Sequence, residues 1–121
     1  MEYTGGYPFG LEIVFGGTKI RKVCSSLSEM VRAFGAERAK RLHRRLDDLV
    51  AAPTLADMRG LPGRCHELRE DRAGQLSLDL DGPYRLIFRP AHDPVPEKAD
   101  GGLDWGGVTA VCILEVTDTH E

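Results

Sequence analysis

Hydrophobic and polar positions repeat with two different periods along this chain, and the change falls near its middle. Residues 11–15, LEIVF, form a short apolar, β-branched run closed by Gly16-Gly17, which predicts a strand. From Ser26 onward the spacing is helical. Met30, Phe34, Ala39, Leu42, Leu46, Leu49 and Val50 recur along one face, with Arg38, Arg41, Arg44, Arg45 and Asp48 at the remaining positions. Ser26-x-x-Glu29 has the spacing of a capping box, in which hydroxyl and carboxylate each satisfy a backbone N–H at a helix start. Gly35 interrupts the run at a cost of about 1 kcal/mol relative to alanine in a helix interior. One long helix and two helices meeting at FGAE are both compatible with it. Pro53 ends the region, because its ring cannot continue a helix, and TLADMRGL after it has room for one more turn capped by Thr54.

After Pro62-Gly63 the period becomes two. In RCHELR, alternation separates Arg64, His66 and Leu68 from Cys65, Glu67 and Arg69. In LSLDL, Leu76, Leu78 and Leu80 alternate with Ser77 and Asp79, and Asp81-Gly82 then signals a two-residue hairpin. The return strand YRLIF sets Tyr84, Leu86 and Phe88 apart from Arg85 and Ile87. Residues 91–107, with Pro94, Pro96 and four glycines, read as a long loop, and residues 108–116, VTAVCILEV, as an apolar strand suited to the sheet interior. The order predicts an α+β fold, a small mostly antiparallel sheet with an N-terminal helical hairpin packed on one face. Residues 1–10 read as a flexible extension and residues 11–121 as a single domain, which the length also favours.

Composition narrows the function classes. No run approaches the ~18 apolar residues of a membrane span, and the N-terminus lacks a basic flank and apolar core, so no membrane or export role is expected. Cys24, Cys65 and Cys112 are widely spaced and odd in number, which fits a reduced, cytoplasmic setting. The formal charge of −3 hides an asymmetry: residues 1–92 hold every basic residue but Lys98, whereas residues 93–121 are strongly acidic. Most of the basic residues are arginines, whose planar fork suits phosphate. If the helices cover one sheet face, Arg85 points away from them, and with His66, Arg69 and Arg72 it makes a basic patch near an aromatic. Such a surface suits single-stranded RNA. The same arginines can equally be solvated or paired with Glu67, Glu70 and Asp79. No ligand spacing links Cys65, His43, His92 and His120, so no metal or other cofactor is expected, and Gly16-Gly17 lacks phosphate-loop spacing.

The stretch LPGRCHELREDRAGQLSLDLDGPYRLIFRP, together with the ending ILEVTDTHE, resembles the HigB branch of the RelE/ParE toxin superfamily. The family pattern is a Leu-Pro-Gly, a strand with His and then a basic residue, a Gly-x-x-Ser hairpin, an aromatic-Arg-x-x-Phe strand and a C-terminal Asp-x-His. The resemblance implies a RelE-like, microbial-RNase-like fold and a type II toxin that cuts mRNA on the ribosome without metal. It also implies silencing by a cognate antitoxin of the helix-turn-helix, HigA-like class, docking on the apolar side of the 38–45 helix or on a sheet edge. On this resemblance the catalytic set is His66, Arg69, Arg85, Asp118 and His120, with Arg64, Arg72, Tyr84 and Arg89 contacting RNA.

The roles suit the chemistry. Metal-free RNA cleavage needs a base for the 2′-OH, cations for the phosphorane and an acid for the leaving oxygen. His66 or His120 would exchange the protons, Arg69 and Arg85 would hold the phosphate, and Asp118 would orient an imidazole. Thr119 stands where the family commonly has a tyrosine, the balance is acidic rather than basic, and the 91–107 loop is long. A gyrase-inhibiting ParE-like toxin and a catalytically degenerate antitoxin-binding module are therefore the competing expectations.

Overall fold

The computed structural model describes residues 10–119. Strand β1 (Glu12–Phe15) leads through a helix α1 (Thr18–Val23) to α2 (Leu27–Phe34) and α3 (Ala36–Ala51). A 3-10 turn over Leu55–Gly60 follows, then β2 (His66–Glu67), β3 (Leu76–Asp79), β4 (Tyr84–Pro90) and β5 (Ala110–Asp118). The five strands form one sheet in the order β1-β5-β4-β3-β2, parallel between β1 and β5 and antiparallel elsewhere. The expected extension over residues 1–10 lies, apart from Gly10, outside the described residues.

Local chemistry accounts for the helical layer. Ser26 Oγ accepts the Glu29 N–H at 3.1 Å and starts α2. Ser26→Ala is expected to cost about 1 kcal/mol, read as a lower urea midpoint with an unchanged m-value. Gly35 resolves the question of one helix or two: its φ of 83°, open to glycine but strained for other residues, ends α2 and begins α3. Thr54 caps the next turn as expected, its N–H and hydroxyl both donating to Asp57 Oδ2 at 2.9 and 3.0 Å. Helix α1 was not foreseen, since TKIRKV has no long apolar stripe, and none of its residues is fully buried.

The core lies between α3 and one sheet face. Ala39, Leu42, Leu46, Leu49 and Val50 pack on Leu76, Leu78, Leu86, Phe88, Val111 and Ile113. The apolar side of α3 is thus consumed by the core, which removes it as the docking face anticipated for a partner. The 91–107 loop closes the same side of the sheet: Trp105 is buried there and donates from Nε1 to Glu67 Oε2 at 2.9 Å.

Three boundaries differ from the sequence reading. β5 spans 110–118 rather than 108–116, because the Val108 carbonyl is taken by the Leu55 N–H. The β3–β4 turn centres on Gly82-Pro83 rather than Asp81-Gly82, closed by Tyr84 N–H donating to the Asp81 carbonyl at 2.9 Å. Arg69 is not on a strand: β2 ends at Glu67, and Arg69 caps a 3-10 turn over Glu70–Arg72. A bulge also interrupts the β4–β5 register. Ile87 faces Glu115 and Phe88 faces Ile113, leaving Leu114 as the extra residue.

Candidate functional site

Cross-strand partners share a sheet face, so the register assigns the surface away from the helices. One row runs His66, Ser77, Ile87, Glu115 across four strands, and the next runs Asp79, Arg85, Thr117. The alternation in LSLDL and YRLIF produces these rows: leucines and Phe88 turn inward, and Ser77, Asp79 and Arg85 turn outward. Ile87 is nevertheless fully buried. The connection from β2 to β3 carries Arg72, which reaches the Glu115 carboxylate on β5 at 3.0 Å and Gln75 Oε1 at 3.2 Å.

His66 sits at the edge of this face. Its Nδ1 lies 2.8 Å from the Arg64 carbonyl, and a carbonyl can only accept, so Nδ1 carries the proton. Nε2, the other ring nitrogen, lies 3.5 Å from the buried Ser77 hydroxyl. Arg64, His66, Glu67, Leu68 and Arg69 line an open groove of about 730 Å³. Alternation along an unbroken strand would have put Arg69 opposite His66; the early end of β2 brings the two into the same groove. Arg69 is exposed and has no ion pair among the described residues.

The other arginines are more constrained. Asp79 holds Arg64 through two contacts of 3.1 and 3.3 Å. Its Oδ1 also lies 2.9 Å from Arg85 Nε, off the N–H direction, so this second contact is a charge pair rather than an aligned hydrogen bond. Arg85 Nη1 instead donates to the carbonyls of Gly82 and Tyr84 at 2.9 and 3.0 Å. Arg89 is on the same face, one row further along, and donates to the Pro90 carbonyl.

Underneath, the buried Arg45 of α3 donates from Nε to the Asp79 carbonyl at 3.0 Å. Burial lowers its pKa, partly offset by the Asp48 carboxylate. Gly63, at φ 111°, lies against it: a Cβ there would stand 2.7 Å from Arg45 Nε. The Gly63 carbonyl in turn accepts the Asp79 N–H at 2.7 Å. The glycine of LPG therefore seats the loop that delivers Arg64 and His66.

Two expected members stand elsewhere. Tyr84 and Asp118 are cross-strand partners on the helix side, away from His66 and Arg85. The Tyr84 ring is covered by the Arg38 guanidinium, 3.5 Å from its centroid, and Arg38 is fixed by a two-point contact with Asp81. The Arg38 hydrogen bond lowers the Asp81 pKa despite partial desolvation. Neither an exposed stacking platform at Tyr84 nor an Asp118 carboxylate beside His66 results. Thr119 is buried, with its N–H on the Pro83 carbonyl, and His120 lies outside the described residues. Burial pushes the Cys65 thiol up to about 12, so the neighbour of His66 stays a neutral thiol near pH 7.

The sequence reading missed Ser77 and Glu115 as parts of this face, whereas the pairing of the arginines with Asp79 that it weighed is present. The period-two spacing shared with Asp79 was the available signal for Ser77.

The sequence matches no family profile and no curated protein. Among solved structures, the fold is similar to that of a YoeB/ParE toxin from Agrobacterium tumefaciens, at 12% identity and a TM-score of 0.53. The match covers 91% of this chain and 100% of the toxin. The α+β sheet and helical hairpin described above are therefore the fold that this YoeB/ParE toxin also has.

Proposed function

We propose that the protein is the toxin of a type II toxin–antitoxin pair, of the HigB kind, acting in the cytoplasm as a ribosome-dependent, metal-independent mRNA endoribonuclease. The fold supports the toxin role. The observation that carries the chemistry is the groove in which His66, its ring fixed by the Nδ1 bond to the Arg64 carbonyl, stands between Arg64 and Arg69. In this reading His66 takes the 2′-OH proton as the 2′-oxygen bonds to phosphorus and the P–O5′ bond breaks. Arg69 and Arg64 stabilise the charge gathering on the phosphorane, and the departing 5′-oxygen takes its proton from solvent. A helix-turn-helix, HigA-like antitoxin would be the silencing partner, and translated mRNA the substrate. Among the described residues, no helix is long and apolar enough to cross a membrane.

The test is induced expression without the antitoxin, with 5′ ends of cellular mRNA mapped for the wild type and for His66→Ala. Cuts in translated messages that vanish in the variant are the expected result. Growth arrest without cuts would point instead to a gyrase-type protein target.

One observation favours a second reading, a degenerate module that only binds its antitoxin: Asp79 engages both Arg64 and Arg85. Asp79→Asn separates the two. On the ribonuclease reading it frees guanidinium groups for RNA, so binding to a single-stranded oligonucleotide should tighten at low salt. The slope of log K against log salt should steepen by about 0.7 for each further phosphate that the freed arginines neutralise. No change in affinity or slope would favour the degenerate module.

A further inference from the structure

The strand that carries His66 has little to hold it in place on its own. β2 is two residues long, stands at the edge of the sheet and pairs only with β3, His66 with Ser77 and Glu67 with Leu76. One further bond extends this ladder, from the Leu68 N–H to the Gln75 carbonyl at 2.9 Å. On either side of the strand a residue other than glycine takes a left-handed backbone, Arg64 at φ 51° and Glu70 at φ 55°. Such conformations persist where the surrounding contacts over-determine them.

A contact of this kind comes from the 91–107 loop. Within it Glu97 bridges to Leu103, the Lys98 N–H donates to the Gly102 carbonyl at 2.7 Å, and the Asp104 N–H donates to the Pro96 carbonyl at 3.0 Å. Both ends are tied to the domain. His92 Nε2 accepts the N–H groups of Thr109 and Ala110 at 3.0 and 3.3 Å, and the Val108 carbonyl accepts the Leu55 N–H at 3.0 Å. From this frame the buried Trp105 donates its Nε1–H to Glu67 Oε2 at 2.9 Å, a bond strengthened by the charge on the acceptor. Arg59, on the 3-10 turn over Leu55–Gly60, covers the indole, its guanidinium carbon 4.2 Å from the ring centroid. Glu67 directly follows His66, so a fixed Glu67 side chain limits how far the His66 backbone can shift.

We propose that Trp105 is a positioning residue for the His66 groove: its indole, backed by Arg59, holds Glu67 and through it the two-residue strand. The 91–107 loop thereby supplies the rigidity that so short a strand lacks. The positioning role rests on reading that groove as the reactive site, whereas the brace is a property of the folded chain alone.

Three variants of the full chain test both. Trp105→Phe keeps an aromatic ring and removes the N–H donor, Glu67→Gln keeps an acceptor oxygen, and Arg59→Ala, at an exposed position, uncovers the indole. Backbone hydrogen exchange is read first. Trp105→Phe is expected to speed exchange at Leu68 about tenfold while the amides of α3 keep their rates, which separates loss of the brace from loss of the fold. Glu67→Gln should exchange close to the wild-type rate there, and Arg59→Ala should fall between the two. In single-turnover cleavage on programmed ribosomes, Trp105→Phe should lower the maximal rate about 10–100-fold with the half-saturating concentration unchanged, the split expected of a misplaced reactive group. Unchanged exchange at Leu68 in Trp105→Phe, or exchange in Glu67→Gln as fast as in Trp105→Phe, overturns the brace. Faster exchange with an undiminished cleavage rate overturns the positioning role. A wild-type chain that cuts no message while Leu68 responds as expected supports the brace and sinks the ribonuclease reading, so the two failures are told apart.

Discussion

Gly63→Ala is expected to destabilise the fold by about 2–4 kcal/mol, combining the strain of a side chain at positive φ with overpacking of a filled site. The glycine stands at φ 111°, where a Cβ would be 2.7 Å from Arg45 Nε, 3.0 Å from Arg45 Cδ and 3.1 Å from Leu78 Cδ2. None of these neighbours can yield easily. Leu78 is fully buried, and Arg45 is buried with its Nε committed to the Asp79 carbonyl. Equilibrium urea unfolding reads the loss directly. A double-mutant cycle with Arg45→Ala should then show coupling of about 1 kcal/mol or more, because removing the arginine removes the nearest clash while the backbone strain stays. An alanine variant within about 0.5 kcal/mol of wild type, the range of ordinary surface changes, would mean that the loop is not seated on Arg45.

His66→Ala is expected to lower mRNA cleavage on programmed ribosomes by about 10²–10⁴-fold, the usual contribution of a positioned acid or base. The structural share of the substitution should be small. His66 is half-buried and makes one short hydrogen bond, to the Arg64 carbonyl, worth about 0.5–1.5 kcal/mol net. Single-turnover cleavage measured beside urea unfolding separates the two effects. A large rate loss with a small stability loss supports the base role, and an unchanged rate sinks it.

Much of the fold could be read from spacing because burial imposes it. Leu76, Leu78, Leu86 and Phe88 alternate because one face of β3 and β4 meets α3, and Met30 through Val50 keep a helical period for the same reason. Alternation also separated Tyr84 from Arg85 correctly, although Tyr84 was still expected beside the basic patch. What escaped was decided by contacts distant in sequence. Arg38 claims the Tyr84 ring through Asp81, and Arg72 goes to Glu115 on the far side of β3 and β4. Arg69 joins His66 only because β2 is two residues long. Helix α1 follows from the chain turning away from the sheet after Gly16, and its polar sequence carries no stripe to announce it.

The bulge at Leu114 has a consequence for how this sheet can change over time. Strand faces are set by odd and even positions, so one surplus residue exchanges the roles of everything after it. Upstream of the bulge, Val111 and Ile113 face the helices; downstream, Val116 does, while Glu115 and Thr117 turn outward. Loss of Leu114 alone would leave these facings intact, because Glu115 would then follow Ile113 directly, still opposite Ile87, and Val116 would stay inward. A gap at a regularly paired position would instead turn the residues beyond it to the opposite face. Variation in the length of this strand is therefore expected at position 114, with a gap elsewhere tolerated only beside a second change that restores the count.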